Sequence, residues 1–99
     1  HTLVIPKDPT ENLHDADPII LGHTMATVQR VSAAVKQAFA APGIMIAQLN
    51  GAPAGQTVFH LHFHILPRAD GLDIGMHARD MADFAVLETH AQRIREVLA

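Results

Sequence analysis

Between Thr57 and Leu66 the chain reads Thr-Val-Phe-His-Leu-His-Phe-His-Ile-Leu, so His60, His62 and His64 alternate with Leu61, Phe63 and Ile65. Alternation of this kind has a period of two, the period of a β-strand, whose successive side chains point to opposite faces. A helix would scatter the three imidazoles around its circumference. The spacing therefore predicts a strand with His60, His62 and His64 on one face, while Val58, Leu61, Phe63 and Ile65 serve the core or its flank. The rest of the chain reads as a scaffold for that strand.

An exposed strand face usually carries Thr, Lys or Glu, so three histidines in a row point to chemistry. Histidine is the commonest metal ligand. A rise of about 3.3 Å per residue puts His60 and His62 roughly 6.6 Å apart, close enough to share one ion. His60 and His64 are then roughly 13 Å apart, too far to share it comfortably. A metal site would use two histidines and need a further ligand from elsewhere. A histidine nucleophile with histidine neighbours that bind and protonate an anionic substrate would use all three.

The run His60-Leu61-His62-Phe63-His64-Ile65-Leu66 resembles the His-x-His-x-His-x-x signature of the histidine triad (HIT) superfamily of nucleotide hydrolases and transferases. Ala54-Gly55-Gln56-Thr57-Val58 before it and Pro67-Arg68 after it are similar to the same family. So is the opening His1-Thr2-Leu3-Val4-Ile5-Pro6-Lys7, which resembles the family's Gly-His-x-Leu-Val-Ile-Pro-Lys strand without its leading glycine. The likeness runs through essentially the whole chain in order.

It implies an α+β fold: a mainly antiparallel sheet with one long helix and a C-terminal helix, in a single domain over residues 1–99. Family members carry further strands upstream, and the chain opens without Met directly in a β-pattern, which implies a fragment of a longer domain. One family branch has a zinc site built from upstream cysteines and a His soon after the Ile-Pro-Lys strand. Asp8-Pro9 stands there instead, so no metal ligand and no cofactor is expected.

Local signals agree with that order of elements. Asp8-Pro9-Thr10-Glu11-Asn12 is turn chemistry. Asp17-Pro18 starts a helix, with Asp as N-cap and Pro at the first helical position. Ile20, Thr24, Val28, Val31, Val35 and Phe39 then recur every three or four residues, an amphipathic helix of about six turns running through Ala41 to a stop at Pro42-Gly43. His14 and His23 read as structural or solvated. Ile44–Leu49 is an apolar run expected to form a well-buried strand. Asn50–Gly55 is a loop of turn formers, and Asp70-Gly71 is a turn. Met76–Arg79 is irregular. Asp80 or Asp83 caps a final helix whose apolar stripe is Phe84, Leu87, Ala91, Ile94 and Leu98, with Arg93, Arg95 and Glu96 outside. Arg68 reads as a solvated strand-end Arg, and His77 and His90 as surface residues.

The resemblance also implies chemistry. Neutral imidazole has a lone pair and attacks phosphorus without a metal. His62, the middle histidine, would attack the α-phosphate of a nucleoside phosphoramidate or dinucleoside polyphosphate. That attack makes a nucleotidyl-histidine, which water hydrolyses. His64 and His60 would contact the phosphate and leaving-group oxygens, and His1 would orient them from the neighbouring strand. Phosphate-binding positions implied by the family are Asn50, Gly55, Gln56 and Thr57, with His62 and His64. The family's amide or Ala eleven residues before the first triad His is Leu49 here, which leaves Asn50 as the nearest polar substitute.

One transferase branch has Gln in place of the third histidine, and His64 argues against it. The expected ligand is a purine nucleotide, and the expected assembly is a homodimer with the long helix and the Ile44–Leu49 strand near its axis. A catalytically weak purine-nucleotide-binding module is the alternative.

A net charge of −3 removes the electrostatic footing for general nucleic-acid binding. No apolar run approaches the ~20 residues of a membrane span. Zero cysteines exclude a disulfide framework, and a cytoplasmic enzyme is the default expectation.

Overall fold

The computed structural model describes residues 1–70 and 83–99. Its elements are β1 (Thr2–Val4), α1 (Pro18–Ala38), β2 (Gly43–Ala47), β3 (Phe63–Arg68) and α2 (Phe84–Leu98). Two short 3-10 turns, Leu13–Asp15 and Ala52–Ala54, lie in the connections. The strands form one antiparallel sheet in the order β1-β3-β2, so the architecture is α+β as expected.

β3 is central because its residues are apolar on both faces or buried by their neighbours. Phe63, His64, Ile65 and Leu66 are all buried. Phe63 and Ile65 join Val4, Leu61 and the α1 residues Val28 and Val35 in the core, with Ile44 and Ile94 packed at its margin. The opposite face of β3 carries His64 and Leu66. His64 faces Leu3 of β1 on one side and Ala47 of β2 on the other.

α1 begins where the sequence places it. Asp17 lies outside the helix in extended backbone, and its Oδ1 accepts the Ile19 N–H at 2.8 Å, with Pro18 following at the first helical position. Thr24, Val28 and Val35 form its buried stripe. The helix stops three residues before the predicted Ala41 end. Ala40 takes a left-handed conformation (φ 48°), and the Ala41 N–H turns back to the Lys36 carbonyl at 3.1 Å. Chain reversal is thus complete before Pro42 is reached.

α2 is capped by Asp83, whose Oδ1 accepts the Ala85 N–H at 3.4 Å. It packs on α1, where His90 meets the Phe39 ring edge-on at 5.1 Å and the Arg93 guanidinium lies 5.7 Å from the same ring. His90 and Arg93 are exposed, as expected, and rest against that ring beside the helix pair. Phe84 at the start of the stripe remains 77% exposed.

β2 departs from its expectation. It ends at Ala47 and is only partly buried, with Ile46 45% exposed, because among the described residues it forms the sheet's edge, with a strand on one side. His14 and His23 are exposed, in keeping with a solvated reading. The Met76–Arg79 segment, His77, the Asp80 alternative and the second residue of the Asp70-Gly71 turn lie outside the described residues. Among the described residues no helix is long and apolar enough to cross a membrane.

Candidate functional site

The histidine run does not form one continuous strand. β3 begins at Phe63, so only His64 is held in the sheet, while His60 and His62 lie in the segment entering it. The consequence is a division of the three side chains. His62 and His64 stay together, their ring centroids 4.9 Å apart at an interplanar angle of 65°. His60 turns away, and its Nε2 lies 2.8 Å from the carbonyl oxygen of Pro6. The expected shared face of three imidazoles is therefore a pair, because the backbone leaves extended pairing before His62.

His1 supplies the third ring instead. Leu3 lies opposite His64 in the β1–β3 register, and His1, two residues earlier, shares that face. Its Nε2 is 2.7 Å from His64 Nδ1, with ring centroids 4.9 Å apart. His64 is 3% exposed, so this contact is made where water competes little. The cluster runs His1, His64, His62.

Hydrogen-bond partners fix two of the tautomers. A carbonyl oxygen only accepts, so a ring nitrogen bonded to one must carry the proton. His62 Nδ1 is 2.7 Å from the His60 carbonyl oxygen, and it donates. In neutral imidazole that leaves Nε2 of His62 with its lone pair in the ring plane. By the same rule His60 donates from Nε2 to Pro6, which leaves its neutral ring only an acceptor at Nδ1. His60 thus meets its neighbour through its main-chain oxygen.

The loop before the histidines is built from two glycines. Gly51 (φ 88°) and Gly55 (φ 105°) flank the Ala52–Ala54 turn in conformations that disfavour a Cβ, and a Cβ on Gly55 would also come within 3.1 Å of a Leu49 methyl. The loop's own N–H groups are turned inward. Those of Ala54 and Gln56 go to the Gly51 carbonyl at 3.1 Å each, and that of Gly55 goes to Ala52 at 3.0 Å. The expected role of the Gly55 N–H as an anion donor meets this internal bond.

Gln56 departs furthest from its expectation as a phosphate contact. It is 3% exposed, and its Nε2 donates to the carbonyls of Glu11 (2.8 Å) and Val58 (3.1 Å) while its Oε1 accepts from the Gly51 N–H (2.8 Å). Both amide hydrogens are committed to backbone. Asn50 is half-buried. Its Oδ1 accepts from the Leu13 N–H (3.0 Å) and from Gln48 Nε2 (2.7 Å), and its Nδ2 donates to Gln48 Oε1 (3.0 Å), leaving one amide hydrogen. Thr57 is exposed beside them.

Arg68, expected to be solvated, is half-buried, with Nη2 enclosed and no hydrogen-bond partner among the described residues. Among the described residues no group of three or more His, Cys, Asp or Glu is arranged to hold a metal ion. A groove of about 720 Å³ between β1, α1 and α2 has an apolar lining that includes Val31, Phe39, Ile94 and Leu98. Of His1, His60, His62 and His64, only His1 borders it, and His90 of α2 lines it as well.

What sequence reasoning missed is main chain. The carbonyls of His60, Pro6 and Thr10 orient the cluster, and a carbonyl has no residue-type signature.

The HIT domain family model matches residues 1–71. A crystal structure of a HIT-like protein from Bartonella henselae, described as involved in cell-cycle regulation, superposes with a TM-score of 0.89 at 43% identity, covering 96% of this chain and 68% of that one. An uncharacterized HIT-like protein of Saccharolobus solfataricus is 43% identical over 67 residues, 68% of this chain and 48% of its own. The asymmetrical bis(5'-nucleosyl)-tetraphosphatase of Schizosaccharomyces pombe is 38% identical over 68 residues, 69% of this chain and 37% of its own. Other relatives are named adenylylsulfatase in Arabidopsis thaliana and bis(5'-adenosyl)-triphosphatase in Dictyostelium discoideum. The chain spans about half the length of the first curated relatives it matches.

Proposed function

The chain belongs to the HIT domain family, whose members include nucleotide hydrolases, and on that premise we propose that it hydrolyses nucleotide derivatives through a nucleotidyl-histidine. The substrates would be nucleoside phosphoramidates or dinucleoside polyphosphates. One observation carries the reading: His62 donates from Nδ1 to the His60 carbonyl, so that in the neutral ring the lone pair lies on Nε2 and points away from that bond.

In the proposed reaction His62 Nε2 attacks the α-phosphorus, a P–N bond forms, and the bond to the amine or polyphosphate leaving group breaks. The leaving group departs with the bonding electrons and takes up a proton from solvent. Water then attacks the same phosphorus and gives up a proton to solvent, the P–N bond breaks with its electrons returning to Nε2, and a nucleoside monophosphate and the starting His62 are released. Two steps replace one direct attack of water on an anionic phosphorus.

His64 Nε2 would donate to a non-bridging oxygen, a role that in the neutral ring has its Nδ1 accept from His1. His1 is then the residue that holds His64 in the useful tautomer. His60 contributes its carbonyl to His62 and its ring to Pro6. Thr57, exposed at the loop end, and the remaining Asn50 amide hydrogen are the polar groups proposed to meet phosphate.

We also propose a homodimer that pairs the free edge of β2. Its half-exposed apolar side chains, Ile46 foremost, are what an edge strand presents to a second copy.

The test uses the full chain and its His62→Ala variant, with a chelator present, on adenosine monophosphoramidate and on a dinucleoside polyphosphate. Monophosphate release and bound nucleotide are followed by mass spectrometry. Release and a transient adduct in the parent, with a loss of at least about 10⁴-fold in the variant, are expected. Nucleotide binding with no release from either protein would mean a binding module instead.

A further inference from the structure

Gln56 is buried with three side-chain hydrogen bonds, all to backbone, and the proposed chemistry leaves it without a task. Its three hydrogen bonds join three stretches of backbone: Gly51 at the start of the loop, Val58 at its end, and Glu11 in the segment that leaves β1. Next to Glu11, the Thr10 carbonyl accepts the Leu61 N–H at 2.8 Å. That N–H belongs to the same peptide unit as the His60 carbonyl, the acceptor for His62 Nδ1.

A trans peptide is planar, and its N–H and C=O point in opposite directions. Holding the N–H on Thr10 therefore aims the carbonyl the other way, at His62. No cis peptide interrupts this relation. The Leu61 side chain, 1% exposed, anchors the same unit in the core, and the His60 ring ties it to Pro6 at 2.8 Å. Residues 6–11 thus form a brace along the segment that carries the nucleophile.

We propose that Gln56 is a positioning residue: by clamping the Glu11 and Val58 carbonyls it holds Thr10 against Leu61, turns the His60 carbonyl towards His62, and keeps His62 protonated on Nδ1. This inference rests on the reading of His62 as nucleophile, and it replaces a phosphate-binding role for Gln56. Both amide hydrogens already face carbonyls, so a phosphate oxygen reaches them only if the brace opens. Without the clamp, the peptide between His60 and Leu61 loses its fixed direction. His62 then samples the tautomer with its proton on Nε2, which has no lone pair to attack with.

The test is Gln56→Met, which preserves the length and volume of the side chain and removes its hydrogen bonds. Long-range proton–nitrogen NMR of the histidine rings reads the His62 tautomer directly. The parent is expected to show Nδ1–H alone, and the variant a mixture of the two. In steady-state kinetics kcat falls at least about tenfold, the scale of one or two lost hydrogen bonds. KM and the Kd for the nucleoside monophosphate stay within about threefold of the parent, since no phosphate contact is lost.

Two outcomes overturn the proposal. One is weaker monophosphate binding at constant kcat, the mark of a direct phosphate ligand. The other is an unchanged tautomer, whatever the melting temperature does, because a purely structural glutamine lowers stability without redistributing that proton. If circular dichroism shows Gln56→Met unfolded, Gln56→Glu takes its place with the same readouts, keeping an acceptor for the Gly51 N–H. The NMR arm needs no turnover. A parent without hydrolase activity sinks the proposed reaction, while the tautomer still decides the clamp.

Discussion

A single proton between His1 Nε2 and His64 Nδ1, 2.7 Å apart, decides what His64 can offer a phosphate. In a neutral His64 ring, if His1 donates, His64 keeps its own proton on Nε2 and is a donor to an oxyanion; if His64 donates, its Nε2 carries a lone pair that an anion repels. The proposed reaction needs the first arrangement. His1→Ala is therefore expected to lower kcat about ten- to hundredfold, the worth of a hydrogen bond to a charged group, with His62 still forming an adduct. Stopped-flow or quench-flow measurement of adduct formation checks this. An unchanged rate would remove His1 from the machinery. At this scale the sequence showed which residue types matter and concealed how they are aimed. His60 and His62 are spelled alike, yet one ring goes to Pro6 and the other stays with His64, and only backbone direction separates them.

Elements were the most legible level, because caps and periodicity are local. Asp17-Pro18 and Asp83 begin their helices as the chemistry of N-caps requires, and the stripe Thr24, Val28 and Val35 is buried at helical spacing. Asp17→Ala removes the acceptor of the Ile19 N–H. A cost of about 1 kcal/mol is expected, which lowers the melting temperature by roughly 4–8 °C for a domain of this size. Thermal denaturation followed by circular dichroism measures it, and monophosphate affinity should not move. Strand ends were less legible. The apolar alternation runs on through His60, but β3 starts at Phe63, because pairing ends with the strands beside it: Val4 is the last residue of β1 opposite Phe63, and Ala47 the last of β2 opposite His64. A strand is as long as its neighbours allow, and its own period does not encode that limit.

For the whole molecule, the question is what the free edges are for. Among the described residues β2 offers an unpaired backbone edge with Ile46 half-exposed, and its apolar sequence alone suggested full burial. Ile46→Glu is expected to leave the fold intact, since the side chain already faces solvent, and to convert a dimer to a monomer by placing like charges opposite each other across the twofold axis. Sedimentation velocity of parent and variant at several concentrations distinguishes the two; a parent that sediments as a monomer throughout would end the proposed assembly. By itself the sequence determined the α+β composition, the Asp17-Pro18 helix start, Asp83 as one of two candidates for the other, and the core stripe, and it singled out the imidazoles proposed to react, because these follow from side-chain period and capping chemistry within a few residues. Tertiary structure alone decided that His1 meets His64 through Nε2 and Nδ1, that His60 acts through its carbonyl, and that Gln56 is buried on the backbone of Glu11. Those contacts join main-chain atoms and distant segments, whose meeting depends on how the strands pair and carries no mark in the residues' names.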